Sequence, residues 1–205
     1  AKTYTVDEIL EYLNKYGEKI KPFIKDTGLY LKEANERGMN ILFEAQLGSL
    51  RDLDYGIHPY TTSSNTTAAY APVGSGCPSA TLNKVIGVVK AYSTCVGEGP
   101  FVTELFGKEA DLLRENGSEY GAKTGRPRRV GPLDLVATKY GVEVQGATDL
   151  ALTKMDILSY LDEIPVCVAY KHKNETITRF PFPSVLKECE PVYIKMKGWK
   201  KDLSK

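Results

Sequence analysis

The sequence predicts an α/β protein built on a mostly parallel sheet with flanking helices. Three observations point there. Short apolar runs such as 85–92 (VIGVVKAY) and 166–170 have the length and character of strands buried on both faces. Segments of helical period, such as 6–16 and 108–116, alternate with them. No internal repeat and no low-complexity stretch interrupts the alternation. The 205 residues fit one large domain or two small ones with a real core, and 1–205 reads as a single α/β segment.

Taken in order, Thr5 and Glu8 form a capping box, and Ile9, Leu10, Leu13 and Tyr16 follow at helical spacing until Gly17. Pro22 interrupts or begins a second helix, which carries Ile24, Leu31 and Ala34 toward a stop at Gly38. Residues 41–43 (ILF) ending in Glu44 read as a buried parallel strand that delivers a polar residue to a sheet edge, where ligands of α/β sheets sit. Residues 45–80 have no convincing period and are crowded with Gly, Ser, Thr and Asn. Their hydroxyls and N–H groups could bind phosphate, or could close a self-bonded Ω-loop. A strand at 85–92, a tight turn at 97–101 (GEGPF) and a short helix at 108–116 come next. Pro132 suits the first turn of a helix running toward Val144. The segment 149–152 reads as a brief strand, 166–170 and 176–179 as a strand pair around a polar turn, and the tail from Phe180 carries FPFP and a lysine-rich end.

Composition excludes several classes of function. Hydrophobic residues make up 42% and charged residues 26%, as in an ordinary globular protein. The net charge of +1 disfavours nucleic acid as a partner. No apolar run reaches the roughly 20 residues of a membrane span, and the N-terminus does not resemble a signal peptide, so no membrane partner is expected and the location reads as cytoplasmic. Cys77, Cys95, Cys167 and Cys189 form no C-x-x-C pair, and His58 and His172 have no companion ligand, so the cysteines read as reduced and structural and no metal ligands are assigned.

Two stretches carry candidate chemistry. Residues 121–129 (GAKTGRPRR) hold four cations and no acid between Lys123 and Arg129, with glycines at 121, 125 and 131 that argue against regular helix or strand. Guanidinium forks match carboxylate and phosphate geometry, so such a loop recruits anions; a solvated surface loop is the plain alternative. Thr153-Lys154-Met155-Asp156 directly follows a strand and resembles the guanine-recognition motif of GTP-binding proteins. A carboxylate at Asp156 can accept from guanine N1–H and its exocyclic amine, a donor pair that adenine lacks, while the Lys154 stem lies along the base. A capped helix start is the competing explanation for the same four residues.

Together, residues 43–59 (FEAQLGSLRDLDYGIHP), 62–68 (TSSNTTA), 88–104 (VVKAYSTCVGEGPFVTE), 119–131 (EYGAKTGRPRRVG) and 152–156 (LTKMD) resemble the adenylosuccinate synthetase family, in register over roughly residues 40–200. The resemblance implies a P-loop-related α/β fold. It implies an activity joining IMP and L-aspartate to give adenylosuccinate, with GTP as co-substrate, Mg2+, a 6-phosphoryl-IMP intermediate and a homodimer. It places Thr62, Val96 and Arg126 against IMP, and Thr124, Arg126 and Arg128 against aspartate. Arg128, Lys154 and Asp156 fall against GTP.

The chain departs from the family pattern at several positions. Leu47 occupies the place of an IMP-binding glutamine, with Gln46 beside it; Lys123 replaces a usual threonine and Cys95 a usual arginine. These departures fit a divergent paralogue. The family's glycine-rich phosphate loop, catalytic aspartate and nearby histidine are expected upstream of residue 1, and a C-terminal segment completing the guanine site is expected beyond residue 205. The chain, which begins with Ala1 rather than Met, therefore reads as a central to C-terminal fragment, inactive alone and with no catalytic residue of its own. A non-catalytic guanine-nucleotide-binding or oligomerisation module that keeps Lys154 and Asp156 is the alternative.

Overall fold

The computed structural model describes residues 3–203; Ala1 and the last lysine of the tail, Lys205, lie outside them. The chain divides into two compact units. One comprises residues up to Phe43 together with Pro72–Thr81, and the other Glu44–Ala71 together with residues from Leu82 onward.

In the first unit, helix α1 (Val6–Ile20) starts at the expected capping box. The Glu8 N–H donates to Thr5 Oγ1 at 3.2 Å, and the Thr5 N–H donates to the Glu8 carboxylate at 2.8 Å. Pro22 sits in a 3-10 turn, Lys21–Phe23, where its missing N–H is no loss. Helix α2 (Thr27–Glu36) is capped by Asp26, which accepts from the Leu29 N–H at 2.9 Å, and Gly38 follows it in the left-handed region with φ +68°. The strand expected at 41–43 does not form. Residues 39–46 have no regular structure and Leu42 is 92% exposed. An apolar run becomes a strand only where another edge takes its N–H and C=O groups, and among the described residues none pairs with it.

The second unit holds the sheets. Strand β1 (Ile86–Lys90) pairs in parallel with β4 (Asp149–Thr153). A second sheet runs β2 (Tyr92–Cys95), β3 (Arg129–Asp134) and β5 (Glu163–His172), with β6 (Glu175–Ile177) and β7 (Glu190–Lys197) both paired to β5. The β3–β5 pairing is parallel, while β2–β3, β5–β6 and β5–β7 are antiparallel. Helix α3 (Ala71–Gly74), a single turn, lies where the chain passes into first-unit residues at Pro72; in the second unit α4 (Gly107–Gly117) precedes the basic loop, α5 (Leu135–Gln145) follows β3, and α6 (Pro183–Leu186) precedes β7. Two buried clusters form the core, one around Tyr92, Leu113, Val130 and Ile164, the other around Ile57, Val136 and Tyr170.

Three expectations in this unit are corrected. Pro132 does not open a helix: it lies within β3 opposite Tyr92, and α5 begins only at Leu135, where Asp134 accepts from the Ala137 N–H at 3.0 Å. Proline's fixed φ suits a strand as well as a first helical turn, so the aspartate cap sets the start. Gly131 is not a flexible flank but part of β3, where a Cβ would come within 2.0 Å of the Thr103 carbonyl oxygen. Close backbone approach, rather than bending, requires glycine there. Strand β7 was not anticipated from a segment read only as tail. Its residues are mostly exposed and its apolar run, residues 192–194, is short, yet β5 provides the edge. Among the described residues no helix is long and apolar enough to cross a membrane.

Candidate substrate-contacting site

All of the residues singled out from the sequence fall in the second unit. The basic loop is a closed excursion between α4 and β3. Tyr120 and Pro127 form an antiparallel bridge, the Gly121 N–H donates to the Arg126 carbonyl at 2.9 Å, and the Gly125 N–H donates to the Gly121 carbonyl at 2.8 Å. Gly125 turns the loop with φ +64°, a conformation side chains resist. Thr124 accepts from the Arg126 N–H at 3.3 Å. Lys123, Thr124 and Arg126 are exposed, and the Lys123 and Arg126 side chains make no hydrogen bond or ion pair among the described residues.

The other two cations are committed inward. Arg129 forks onto Glu104, with contacts of 2.7 and 2.5 Å, and donates to the Gly97 and Gly99 carbonyls at 3.1 and 2.9 Å. The Glu104 carboxylate pushes the Arg129 guanidinium pKa up. Arg129 therefore staples β3 to the turn after β2 and is withdrawn from the anion-recruiting set.

Arg128 joins a network on Glu119, a side chain only 1% exposed. One Glu119 oxygen accepts from Lys90 Nζ at 2.8 Å and Tyr92 Oη at 2.6 Å; the other accepts from Arg128 Nη1 at 2.9 Å. Lys154 Nζ stands 3.8 Å away. Burial alone would raise the Glu119 pKa, but the bonds from Lys90 and Tyr92 and the charges of Lys90 and Lys154 outweigh it and hold the carboxyl below its usual range. Burial, then Glu119, drives the Tyr92 hydroxyl pKa upward. Three cations around one buried acid leave a local positive excess, and Arg128 Nε is buried with no partner.

Lys154 leaves the end of β4 in the left-handed region (φ +57°) and donates to the Gly117 carbonyl at 2.8 Å. Asp156 begins a 3-10 turn, Asp156–Tyr160, with no side-chain cap bond, so the capped-helix explanation of these four residues fails. Its carboxylate is exposed and makes no hydrogen bond or ion pair among the described residues. An uncommitted acceptor beside a fixed lysine can receive a paired N–H donor.

Thr62 and Val96 meet through Arg51. Its guanidinium donates to the Tyr60 carbonyl at 2.5 Å, the Val96 carbonyl at 2.9 Å and Cys95 Sγ at 2.7 Å, and its own carbonyl accepts from the Thr62 N–H at 2.8 Å. The Thr62 hydroxyl has no partner among the described residues, and Val96 is 62% exposed. Asp52 organises the rest of the 45–70 segment. Its fully buried carboxylate accepts from the backbone N–H groups of Asp54 and Tyr55 at 2.9 Å each and of Thr66 at 2.5 Å. Gln145 of α5 adds bonds to Ser49, Thr66 and Ala68. The segment is thus a self-bonded loop that still leaves the Thr62 hydroxyl available. Leu47 lies there in the left-handed region with φ +80°, 55% exposed.

Arg128, Lys154 and Tyr92 converge on Glu119, and Thr62 and Val96 on Arg51; Arg126, Thr124 and Asp156 stand exposed beside no such anchor. Sequence reasoning missed Glu119, Lys90, Arg51, Asp52 and Gln145. Glu119 had a signal, being an acid directly before a run of cations, and Lys90 is a charge ending an apolar strand run. Gln145 had none, because its role depends on a loop distant in sequence.

The family model for adenylosuccinate synthetase matches residues 1–205. Among curated relatives, the adenylosuccinate synthetase of Helicobacter pylori (strain HPAG1) is 50% identical over 196 residues, 96% of this chain and 47% of its own length. That of Heliobacterium modesticaldum is 46% identical over 207 residues, 98% of this chain and 48% of its own. The chain therefore spans about half the length of the curated relatives it matches. The solved structure of fully ligated adenylosuccinate synthetase from Plasmodium falciparum superposes with a TM-score of 0.91 at 38% identity, covering 99% of this chain and 49% of that one, which gives the α/β fold inferred from the sequence its counterpart. With the whole of its length matched, the chain belongs to the adenylosuccinate synthetase family.

Proposed function

We propose that this chain supplies the substrate-contacting part of a GTP-dependent ligase that joins IMP and L-aspartate to adenylosuccinate, releasing GDP and phosphate. The observation that carries the reading is the convergence of the basic loop and the Thr-Lys-x-Asp turn on one buried acid, Glu119. Asp156 accepts from the guanine N1–H and amine, with Lys154 held beside it. Thr62 takes the IMP phosphate and Val96 lines the nucleotide pocket. Arg126 reaches both IMP and aspartate, and Thr124 and Arg128 complete the aspartate subsite, Arg128 also facing GTP.

Two steps follow. The γ-phosphoryl group of GTP passes to the IMP 6-oxygen as a base takes the N1 proton. The aspartate amine then attacks C6 and expels the 6-phosphate. Positioning and charge stabilisation do most of this work, and closure of the loop around Gly121 and Gly125 excludes water that would hydrolyse the intermediate. The base and the phosphate loop come from outside these 205 residues, so the chain alone is inactive. Mg2+ enters with GTP. The working protein is a cytosolic homodimer.

The test is phosphate release from Mg-GTP by the full-length protein that contains this chain, with IMP and aspartate each omitted in turn. Turnover that needs all three substrates is expected, with none from the 205-residue chain alone. Full-length turnover without IMP or without aspartate overturns the ligase assignment. Turnover by the 205-residue chain overturns the placement of the base outside it.

A further inference from the structure

We infer that Glu119 is a positioning residue that couples the aspartate subsite to the guanine subsite, an inference that rests on the ligase reading above. Its partners come from four separate segments: Lys90 from the end of β1, Tyr92 from the start of β2, Arg128 from the basic loop and Lys154 from the turn after β4. The sheet explains the meeting of the lysines. Lys90 pairs in register with Thr153, the residue before Lys154, so β1 and β4 end together and release both ammonium groups at one place. The loop is registered to the same residue by its backbone, since the Arg128 N–H donates to the Glu119 carbonyl at 2.9 Å. The Arg128 carbonyl in turn accepts from Arg114 Nε of α4 at 2.9 Å. With the Arg128 main chain fixed twice, the Glu119 carboxylate decides where its guanidinium rests and which donors it has left for a substrate.

The coupling follows from acceptor arithmetic. Lys90 and Arg128 are obligate donors on different oxygens of one carboxylate, and Lys154 shares the oxygen used by Lys90. A carboxylate satisfies both sides at once. A glutamine cannot, because its single oxygen serves one side while its NH2 group faces an obligate donor on the other. Glu119→Gln therefore keeps size and shape but removes the negative charge that Arg128 and the two lysines share, which loosens both subsites at once. Thr62 and Val96 hang on Arg51 instead, outside this network.

The experiment uses the full-length protein and three separate KM values. Glu119→Gln is expected to raise KM for GTP and for aspartate by about tenfold each, the loss of one charge-assisted bond. KM for IMP should change less, by about two- to threefold, because Thr62 and Val96 hang on Arg51 and only Arg126 among the proposed IMP contacts belongs to the loop that Glu119 registers. Tyr92→Phe serves where Glu119→Gln does not fold. It removes one donor to Glu119, keeps the buried ring, touches no proposed substrate, and should shift the same two KM values by about threefold. A variant that changes all three KM values alike, or only the amount of active protein, shows a merely structural residue and overturns the inference. So does one that shifts GTP or aspartate alone. Wild-type protein whose turnover does not need all three substrates overturns the ligase reading, and the coupling with it.

Discussion

Asp52→Asn should destabilise the protein and loosen the proposed IMP subsite together. The Asp52 carboxylate is fully buried and accepts three backbone N–H groups, those of Asp54 and Tyr55 on one oxygen and that of Thr66 on the other. All three are obligate donors. An asparagine that keeps its oxygen toward Asp54 and Tyr55 turns its NH2 group on the Thr66 N–H, and the opposite orientation strands two donors instead of one. The smaller loss is one charge-assisted bond plus one unsatisfied buried donor, about 2–4 kcal/mol. For a protein of this size that is a fall in Tm of roughly 5–12 °C. Thr66 lies four residues beyond Thr62 in the same loop, so KM for IMP should rise several-fold in the same variant. Burial would raise the Asp52 pKa, but its backbone donors outweigh it and hold the carboxyl below the ordinary range. The stabilisation is therefore complete above the unfolded carboxyl pKa of about 4 and fades as pH falls through the lower folded value. Thermal unfolding of both proteins followed by circular dichroism from pH 7 to pH 2 measures this directly. A Tm difference under about 1 °C at pH 7, or one that persists unchanged in acid, would refute the assignment of Asp52 as the loop's anchor.

The same substitution at Asp134 should behave oppositely. Burial raises that carboxyl pKa, so its ionisation weakens the fold as pH rises from the ordinary carboxylate range through the raised value. An asparagine there can still cap Ala137 while its NH2 donates to the reversible Tyr170 hydroxyl, so Asp134→Asn should leave Tm at pH 7 unchanged or raise it by up to about 3 °C. If Arg126 makes the proposed charge-assisted bonds to substrate, worth ~3 kcal/mol, then Arg126→Ala should lower aspartate-dependent kcat/KM of the full-length protein about 100-fold; an unchanged value removes Arg126 from the site. Asp156→Asn should weaken use of GTP and improve use of xanthosine triphosphate, whose extra carbonyl the amide can donate to, and a fixed nucleotide preference in competition assays would contradict the guanine assignment.

What was legible in the sequence was what local chemistry decides. The capping box on α1, the strand before Thr-Lys-x-Asp and the helix before the basic loop rest on neighbouring residues, and all formed. The misplaced elements turned on partners far along the chain. Residues 41–43 have strand composition but no paired edge, whereas β7, with Val192, Tyr193 and Ile194 of equal strand composition, has a long edge on β5. Within the candidate site, Thr124, Arg126 and Asp156 come from the family resemblance, and the structure leaves all three exposed. The buried acids that fix their surroundings could not be picked from sequence, because an isolated Asp or Glu in sequence looks like a surface charge.

The division of labour within Arg126-Pro127-Arg128-Arg129 shows how such acids act. In extended backbone, adjacent side chains point to opposite faces, so Arg128 and Arg129 cannot serve the same partner. Arg129 meets Glu104 on one side and is fully occupied by it and two carbonyls; Arg128 meets Glu119 on the other and shares it with two lysines. A one-residue slip would put Pro127 or Val130 where one of these arginines stands, leaving either the buried Glu119 or the half-buried Glu104 without its guanidinium, at a cost of about 3–5 kcal/mol where the acid is buried. The two acids therefore fix the register of the loop's return strand, and with it the position of Arg126, whose side chain has no hydrogen-bond or ion-pair partner among the described residues to hold it in place. An arginine meant for a substrate has to be left unpaired, and its placement then depends on the pairing of its neighbours.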